Sequence, residues 1–242
     1  MAWFFTENEI NDSFFVIEGK DADHIGKSLR MKKGEEITLV TPLKKQHNCI
    51  IDEVEQGRIS VKIRETSDCA NEPDVEITLY QALPKGDKMD YIVQKSVELG
   101  VSRIVPVVSA RCISRPDNKS LSKKVARWQK IAKEAAQQSR RGIIPEVSSS
   151  LSFKEAVVHS KNNQQNIIFY ECGGEKVKDI VKENPKSIGI FIGSEGGFEE
   201  KEVEMVIENQ GKAGTLGKRI LRAETAPLAA LSVIMFATGN FD

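Results

Sequence analysis

The chain has 242 residues, of which 40% are hydrophobic and 29% are charged, and its 35 Lys and Arg balance 35 Asp and Glu. This composition is ordinary for a folded globular protein and excludes wholesale disorder. No apolar run approaches the roughly 18 residues that span a bilayer, and the first residues turn acidic at once, unlike a signal peptide. We therefore expect a cytoplasmic protein without a membrane partner.

The neutral total charge hides an uneven distribution along the chain. Residues 81–145 carry 14 Lys and Arg against 5 Asp and Glu, whereas residues 1–72 carry 10 against 14 and residues 146–242 carry 11 against 14. Because a polyanion responds to local charge, the central segment is a candidate RNA-facing surface; the alternative is the solvated face of helices. The four cysteines lie far apart, which does not match zinc-ligand spacing, so we predict no metal.

The first 72 residues show short apolar segments separated by turns. We predict strands at 14–19, 36–40, 48–54 and 58–63, and a short helix near 21–31. Several short alternating strands at close spacing favour a small β-barrel or sandwich. The sequence Asn71-Glu72-Pro73 resembles a linker, which places a domain boundary between residues 1–72 and 73–242.

From Val75 onward, predicted strands alternate with predicted helices. The strands are 75–83, 104–108, 167–171, 188–192 and 213–216. Helices are expected from about Met89 to Gly100, from Ser120 or Ser122 to Gly142, and over 199–209 and 227–237. This alternation implies an α/β domain with a parallel sheet.

A glycine-rich segment, Gly193-Ser194-Glu195-Gly196-Gly197-Phe198, follows an apolar strand and precedes a helix. Its glycines allow positive φ and close approach of a ligand, and the carboxyl end of a parallel strand is where α/β proteins bind ligands. The segment lacks the dinucleotide and P-loop signatures, and Glu195 would repel phosphate. A ligand with a cationic centre, or one recognised by backbone donors and acceptors, therefore suits it better, although a purely structural turn is the alternative.

A second loop, Leu216–Ala226, combines apolar residues with Lys218, Arg219, Arg222 and Glu224 just before the last helix. Thr225 or Glu224 can serve the start of that helix, with Pro227 in its first turn. The loop is either part of a ligand site or a capping segment in which Arg222 and Glu224 form a structural ion pair.

Taken together, the two loops closely resemble those of the bacterial 16S ribosomal RNA uracil-N3 methyltransferases of the SPOUT superfamily. Further matching segments are Pro84–Asp90, Gln94–Val101, Glu134–Arg141 and His24 with Leu29-Arg30. The resemblance implies a PUA-like β-barrel RNA-binding domain over 1–72 and a parallel-sheet methyltransferase domain with a trefoil knot over 73–242. It also implies a homodimer that uses S-adenosylmethionine to methylate N3 of one uridine of 16S rRNA within the small ribosomal subunit.

The resemblance suggests roles for individual residues. The cofactor pocket would comprise Gly193, Glu195, Gly196, Gly197, Leu216, Gly217, Ile220, Leu221, Arg222, Thr225 and Ala226. We expect Arg222 to contact the uracil carbonyls and stabilise the anion left by deprotonation, with Glu195 or Glu224 accepting the proton. Contacts to RNA phosphates are expected from Lys27, Arg30, Lys85, Lys88, Lys95, Arg111, Arg140 and Arg141.

Two departures from the family pattern stand out. Ser194 occupies a position where the family often has Pro, and the chain lacks the arginine that many relatives carry near the amino terminus. We expect Lys27 or Arg30 to replace that arginine. Three other interpretations stay open: a non-enzymatic RNA-binding protein, an α/β enzyme acting on a small molecule, and a related methyltransferase acting on transfer RNA or on ribose 2′-oxygen.

Overall fold

The computed structural model describes residues 2–181 and 185–241. The chain divides into two compact units, unit 1 (Met1–Glu72 and Ala136–Ile143) and unit 2 (Pro73–Ala135 and Ile144–Asp242). Residues 136–143, which the sequence analysis assigned to the second domain, thus belong to unit 1. None of the described helices combines the length and apolarity needed to cross a membrane.

Unit 1 is built on a five-stranded sheet. Its strands are β1 (Ala2–Phe5), β2 (Phe14–Glu18), β3 (Glu36–Val40), β4 (Lys45–Glu55) and β5 (Arg58–Asp68), in the order β1-β3-β4-β5-β2. Only β1 and β3 pair in parallel. The helix α1 (Gly19–Asp23) continues into one π-helical turn (His24–Ser28). Two register shifts between β4 and β5 add curvature to the sheet.

The core of unit 1 follows from strand alternation. Ile37 and Leu39 of β3 and Ile59 and Val61 of β5 are fully buried and pack with Ile25 of the π-helical turn. All four strands predicted for this region form, but β4 and β5 are longer than predicted. The sequence analysis missed β1, since its pairing partner β3 lies more than 30 residues away.

The segment 136–143 is held in unit 1 by a buried ion pair. The Arg141 side chain is 3% exposed, and its Nη2 and Nε atoms lie 2.6 Å and 3.2 Å from the Glu72 carboxylate oxygens. Glu72 also accepts the backbone N–H of Gly142 at 2.7 Å, and the Trp3 indole donates to the Arg141 carbonyl oxygen at 2.9 Å. The prediction that Arg141 contacts RNA phosphate is therefore wrong, because its guanidinium is buried against a carboxylate.

Unit 2 contains the large sheet, whose neighbouring strands all pair in parallel. The strands are β6 (Glu76–Ala82), β7 (Arg103–Val108), β8 (Glu146–Val147), β9 (Leu151–Ser152), β10 (Gln165–Phe169), β11 (Glu175–Lys176), β12 (Ser187–Ile192) and β13 (Lys212–Thr215). Their order is β11-β13-β10-β12-β6-β7-β8, with β9 also beside β7. The predicted α/β architecture with a parallel sheet is confirmed.

The described helices that accompany this sheet are α2 (Lys88–Glu98), α3 (Asn118–Gln138), α4 (Phe153–Ser160), α5 (Val177–Ile180), α6 (Glu200–Glu208) and α7 (Ala226–Ala237). The last three residues of α3 belong to unit 1. The helix α3 begins earlier than the predicted serine caps, and the Asp117 carboxylate accepts the backbone N–H of Ser120 at 2.8 Å. The helices α4 and α5 were not predicted. The start of α4 carries a capping box in which Ser152 and Glu155 bond to each other's backbone N–H.

Candidate cofactor pocket

The pocket lies where three neighbouring strands of unit 2 end. The strands β13, β10 and β12 are adjacent and parallel, so their carboxyl ends meet at one edge of the sheet. The loops that follow them surround a cavity of about 510 Å³. This volume is in the range of small-molecule and cofactor sites.

The lining of the cavity includes most of the predicted cofactor residues. These are Gly193, Glu195, Gly196, Gly197, Leu216, Gly217, Ile220, Leu221, Arg222 and Ala226, whereas Thr225 is not among the lining residues. Lining residues that were not predicted for the cofactor pocket are Lys88, Phe169, Tyr170, Glu171, Ile192, Ser194, Thr215, Lys218, Arg219 and Ala223. The contribution of Phe169–Glu171 to the pocket could have been predicted. This segment lies at the carboxyl end of β10, which is at the same edge of the sheet as the ends of β12 and β13.

The glycine loop, residues 193–197, is a tight turn that requires its glycines. The Gly197 N–H donates to the Ser194 carbonyl oxygen at 2.9 Å, and Gly197 has a φ of +66°. A Cβ at Gly197 would collide with the Glu171 carboxylate, and one at Gly193 would lie 2.9 Å from the Gly197 Cα. Ser194 is buried in this turn. The chain thus forms a closed turn with Ser194 at its second position.

Arg111 braces the glycine loop. Its Nη1 donates to the Gly196 carbonyl oxygen at 3.0 Å and lies 3.9 Å from the Glu171 carboxylate. Arg111 was predicted to contact phosphate, which stays a prediction, and the structure places its guanidinium beside the pocket. The contact ties the loop after β10 to the loop after β12.

Two carboxylates of the pocket region share one ammonium. Nζ of Lys88 lies 2.8 Å from Glu195 Oε1 and 3.2 Å from Glu224 Oε2. Burial alone would raise the pKa of Glu195, but the hydrogen bonds from Lys88 and the Lys85 N–H outweigh it and lower that pKa. The pKa of Glu224 is lowered by its own backbone N–H, by Lys88 and by the charge of Arg222. Both groups are therefore ionised at neutral pH.

Arg222 starts the turn that leads into α7. Its carbonyl oxygen accepts the N–H groups of Thr225 and Ala226, each at 2.9 Å. Among the residues that the structure describes, its guanidinium forms no salt bridge, so the structural ion pair with Glu224 considered from the sequence is replaced by the pair between Lys88 and Glu224. The Arg222 side chain is exposed at the cavity and available to a ligand.

The remaining predicted phosphate contacts are spread over both units. In unit 1, Lys27 pairs with Asp23 at 2.8 Å, and Arg30 and Arg140 are exposed. In unit 2, Lys85 is exposed, and Lys95 pairs with Glu98 at 2.8 Å.

Metal ligands are not assembled at the pocket. Within residues 2–181 and 185–241, no group of three or more His, Cys, Asp or Glu side chains is placed to hold a metal ion.

Comparisons with known proteins identify the family. The model of the RNA methyltransferase domain family matches residues 71–235. Ribosomal RNA small subunit methyltransferase E of Bacillus subtilis is 35% identical over 241 residues, which cover 96% of this chain and 94% of the relative. The chain belongs to the ribosomal RNA small subunit methyltransferase E family.

Two solved structures share the architecture of this family member. The methyltransferase E of Neisseria gonorrhoeae, crystallised with S-adenosyl methionine, is 34% identical with a TM-score of 0.87 and covers 98% of this chain and 97% of that chain. A protein of Legionella pneumophila, also solved with bound S-adenosylmethionine, is 29% identical with a TM-score of 0.88 over the same shares of the two chains.

Proposed function

We propose that the protein is an S-adenosylmethionine-dependent methyltransferase that methylates N3 of one uridine of 16S rRNA within the small ribosomal subunit. The observation that carries the proposal is the cavity at the carboxyl edge of the sheet. The glycine loop and the loop Leu216–Ala226 (the Arg222 loop) both line this cavity. The family member from N. gonorrhoeae was crystallised with S-adenosyl methionine.

The residues of the cavity suit this donor. Ile192, Leu216 and Leu221 offer apolar surface for an adenine ring, and the glycine loop offers backbone groups at close range. Acidic and basic side chains both line the cavity, and S-adenosylmethionine carries both a carboxylate and cationic groups. S-adenosylmethionine, when bound, supplies the methyl group in an activated form, so the protein's own contribution is position and electrostatics.

Arg222 is the residue that we assign to the uracil. Loss of the N3 proton spreads negative charge over the two neighbouring carbonyl oxygens, and a fixed guanidinium stabilises that charge. The backbone of Arg222 is fixed by the two hydrogen bonds that its carbonyl accepts from Thr225 and Ala226. Its guanidinium is free of salt bridges within the described part of the chain, and so its charge is available to the substrate.

The proton acceptor is Glu195 or Glu224, both of which are ionised at neutral pH because their pKa values are lowered. We expect Glu195→Gln and Glu224→Gln to affect turnover unequally, because only one carboxylate removes the proton. Losing a general base costs about 10²–10⁴ in rate. Single-turnover methylation by the two variants measures this, and equal losses in both would contradict a dedicated base.

The closed glycine turn gives a direct test of cofactor binding. A left-handed alanine at position 197 costs about 1–2 kcal/mol, and its Cβ would collide with the Glu171 carboxylate. The turn must then open or Glu171 must move away from the cavity, so we expect Gly197→Ala to weaken S-adenosylmethionine binding by about tenfold or more. Isothermal titration calorimetry measures the affinity. Gly26→Ala is the matched control, because its Cβ would find its nearest neighbour at 3.8 Å. Unchanged binding by Gly197→Ala would move the cofactor away from this turn.

RNA binding and dimerisation also belong to the proposed function. We propose that unit 1 is the PUA-like RNA-binding domain and that phosphates are met by Lys27, Arg30, Lys85, Lys95 and Arg140. We also propose that unit 2 carries the knotted SPOUT connection and forms a homodimer. The exposed apolar side chains of Val233 and Phe236 on α7 support a subunit contact. Light scattering of the purified protein tests the dimer, and a monomeric mass would refute it.

The deciding experiment incubates the purified protein with radiolabelled S-adenosylmethionine and small ribosomal subunits that lack the modification, followed by mapping of the labelled nucleoside. We expect label at N3 of a single uridine. Label on another base, on ribose or on transfer RNA would retain the methyltransferase and overturn the substrate assignment. Absence of donor binding would overturn the enzyme itself in favour of an RNA-binding protein.

A further inference from the structure

Lys88 has contacts that were not expected of a phosphate-binding residue. It is the first residue of α2, and its ammonium pairs with Glu195 of the glycine loop and with Glu224 of the loop that leads into α7. We propose that Lys88 is a positioning residue that holds these two loops together and thereby sets the affinity for S-adenosylmethionine. This inference rests on the proposed function of the cavity.

The arrangement is more than a surface ion pair. The three side chains are 33%, 27% and 23% exposed for Lys88, Glu195 and Glu224, so solvent screens their interaction only in part. Both carboxylates approach the same ammonium, and without it two like charges would face each other. Lys88 therefore opposes a repulsion that would separate the two loops of the cavity.

The strand order explains why Lys88 reaches both loops. The strand β6 pairs with β12, so the segment that follows β6 leaves the sheet beside the glycine loop. In that segment the Lys85 N–H also donates to the Glu195 carboxylate, at 3.2 Å and 3.3 Å. The helix α2 also packs against α7. The loop Leu216–Ala226, which carries Glu224, leads directly into α7. Lys88 thus lies where three chain segments of unit 2 meet.

This position argues against a phosphate contact for Lys88. If the Lys88 ammonium bound an RNA phosphate, Glu195 and Glu224 would lose the cation that they share. The two carboxylates belong to the two loops that form the cavity. The hydrogen bond to Glu195 and the nearby charge of Glu224 also raise the pKa of Lys88, so the ammonium stays charged throughout the physiological range. Its charge is used within the protein.

The test is a double-mutant cycle on cofactor affinity, measured by calorimetry with S-adenosylmethionine and no RNA. Lys88→Met keeps the length of the side chain and removes its charge, and we expect it to weaken binding on the order of tenfold. Adding Glu224→Gln to Lys88→Met removes one of the two facing carboxylates, and we expect part of the affinity to return. Lys88→Arg is expected to keep most of the affinity.

Lys201→Met is the matched control for Lys88→Met. It removes an exposed lysine of α6 and should leave the affinity unchanged. If the wild type binds S-adenosylmethionine and Lys88→Met binds it equally well, the inference fails. The inference also fails if adding Glu224→Gln to Lys88→Met restores none of the lost affinity. If the wild type does not bind, the proposed function fails instead. Should Lys88→Met not fold, Lys88→Gln enters the same cycle with the same expectations.

Discussion

Replacing Arg222 by alanine is expected to lower the rate of methylation by about 10²–10³, which is the effect of removing one donor from a site that stabilises a developing anion. The loss should appear in the chemical step, because the guanidinium acts on the uracil when the N3 proton leaves. The affinity for S-adenosylmethionine should change less. Single-turnover reactions with undermethylated small subunits, together with calorimetry, separate the two quantities.

Arg219→Ala is the matched comparison for Arg222→Ala. Both residues line the cavity and both are exposed, so the two variants remove the same charge from the same loop. We expect Arg219→Ala to lose less than about tenfold, since rates fall steeply only where a charge meets the reacting group. Equal losses in the two variants would show that the loop contributes its net charge to RNA binding, without a specific contact from Arg222.

Replacing Arg141 by methionine is expected to lower the free energy of unfolding by about 3–5 kcal/mol, the cost of breaking a buried ion pair from one side. Glu72 would stay buried without its guanidinium, and the segment 136–143 would lose its main attachment to unit 1. Urea unfolding followed by tryptophan fluorescence measures the change, because the Trp3 indole bonds to the Arg141 backbone.

Arg140→Met controls for this variant at the neighbouring position. The Arg140 side chain is exposed, so its replacement should change stability by less than about 0.5 kcal/mol. The Arg140 backbone already has a φ of +57°, which methionine would share without added strain. If both variants unfold at the same urea concentration as the wild type, the buried pair contributes nothing to stability.

The five longer strands of the parallel sheet (β6, β7, β10, β12 and β13) and the position of the pocket could be predicted from the sequence, whereas the two-residue strands β8, β9 and β11 were not predicted. Runs such as Ile188–Ile192 are apolar and β-branched, which is typical of strands buried on both faces. Once those strands are predicted to be parallel, their carboxyl ends mark a ligand site. The glycine loop and the Arg222 loop both follow such ends, and the structure brings them to one cavity.

Contacts between distant segments could not be predicted in this way. Lys88 and Arg141 looked like solvent-exposed cations, because nothing in their local sequence shows which carboxylates face them. The strand β1 depends on a partner far along the chain. The helix α4 is a different case, since Ser152 and Glu155 have the spacing of a capping box and were a readable signal.

Unit 1 is completed by residues 136–143, which are synthesised well after residue 72. Glu72 leaves the ribosome long before Arg141, and at about 5–20 residues per second the interval is roughly 3–14 s. During that time residues 1–72 lack the segment that completes their unit. Unit 1 therefore cannot finish folding as an amino-terminal domain ahead of the rest, and a gene fragment that stops at residue 72 encodes only part of it.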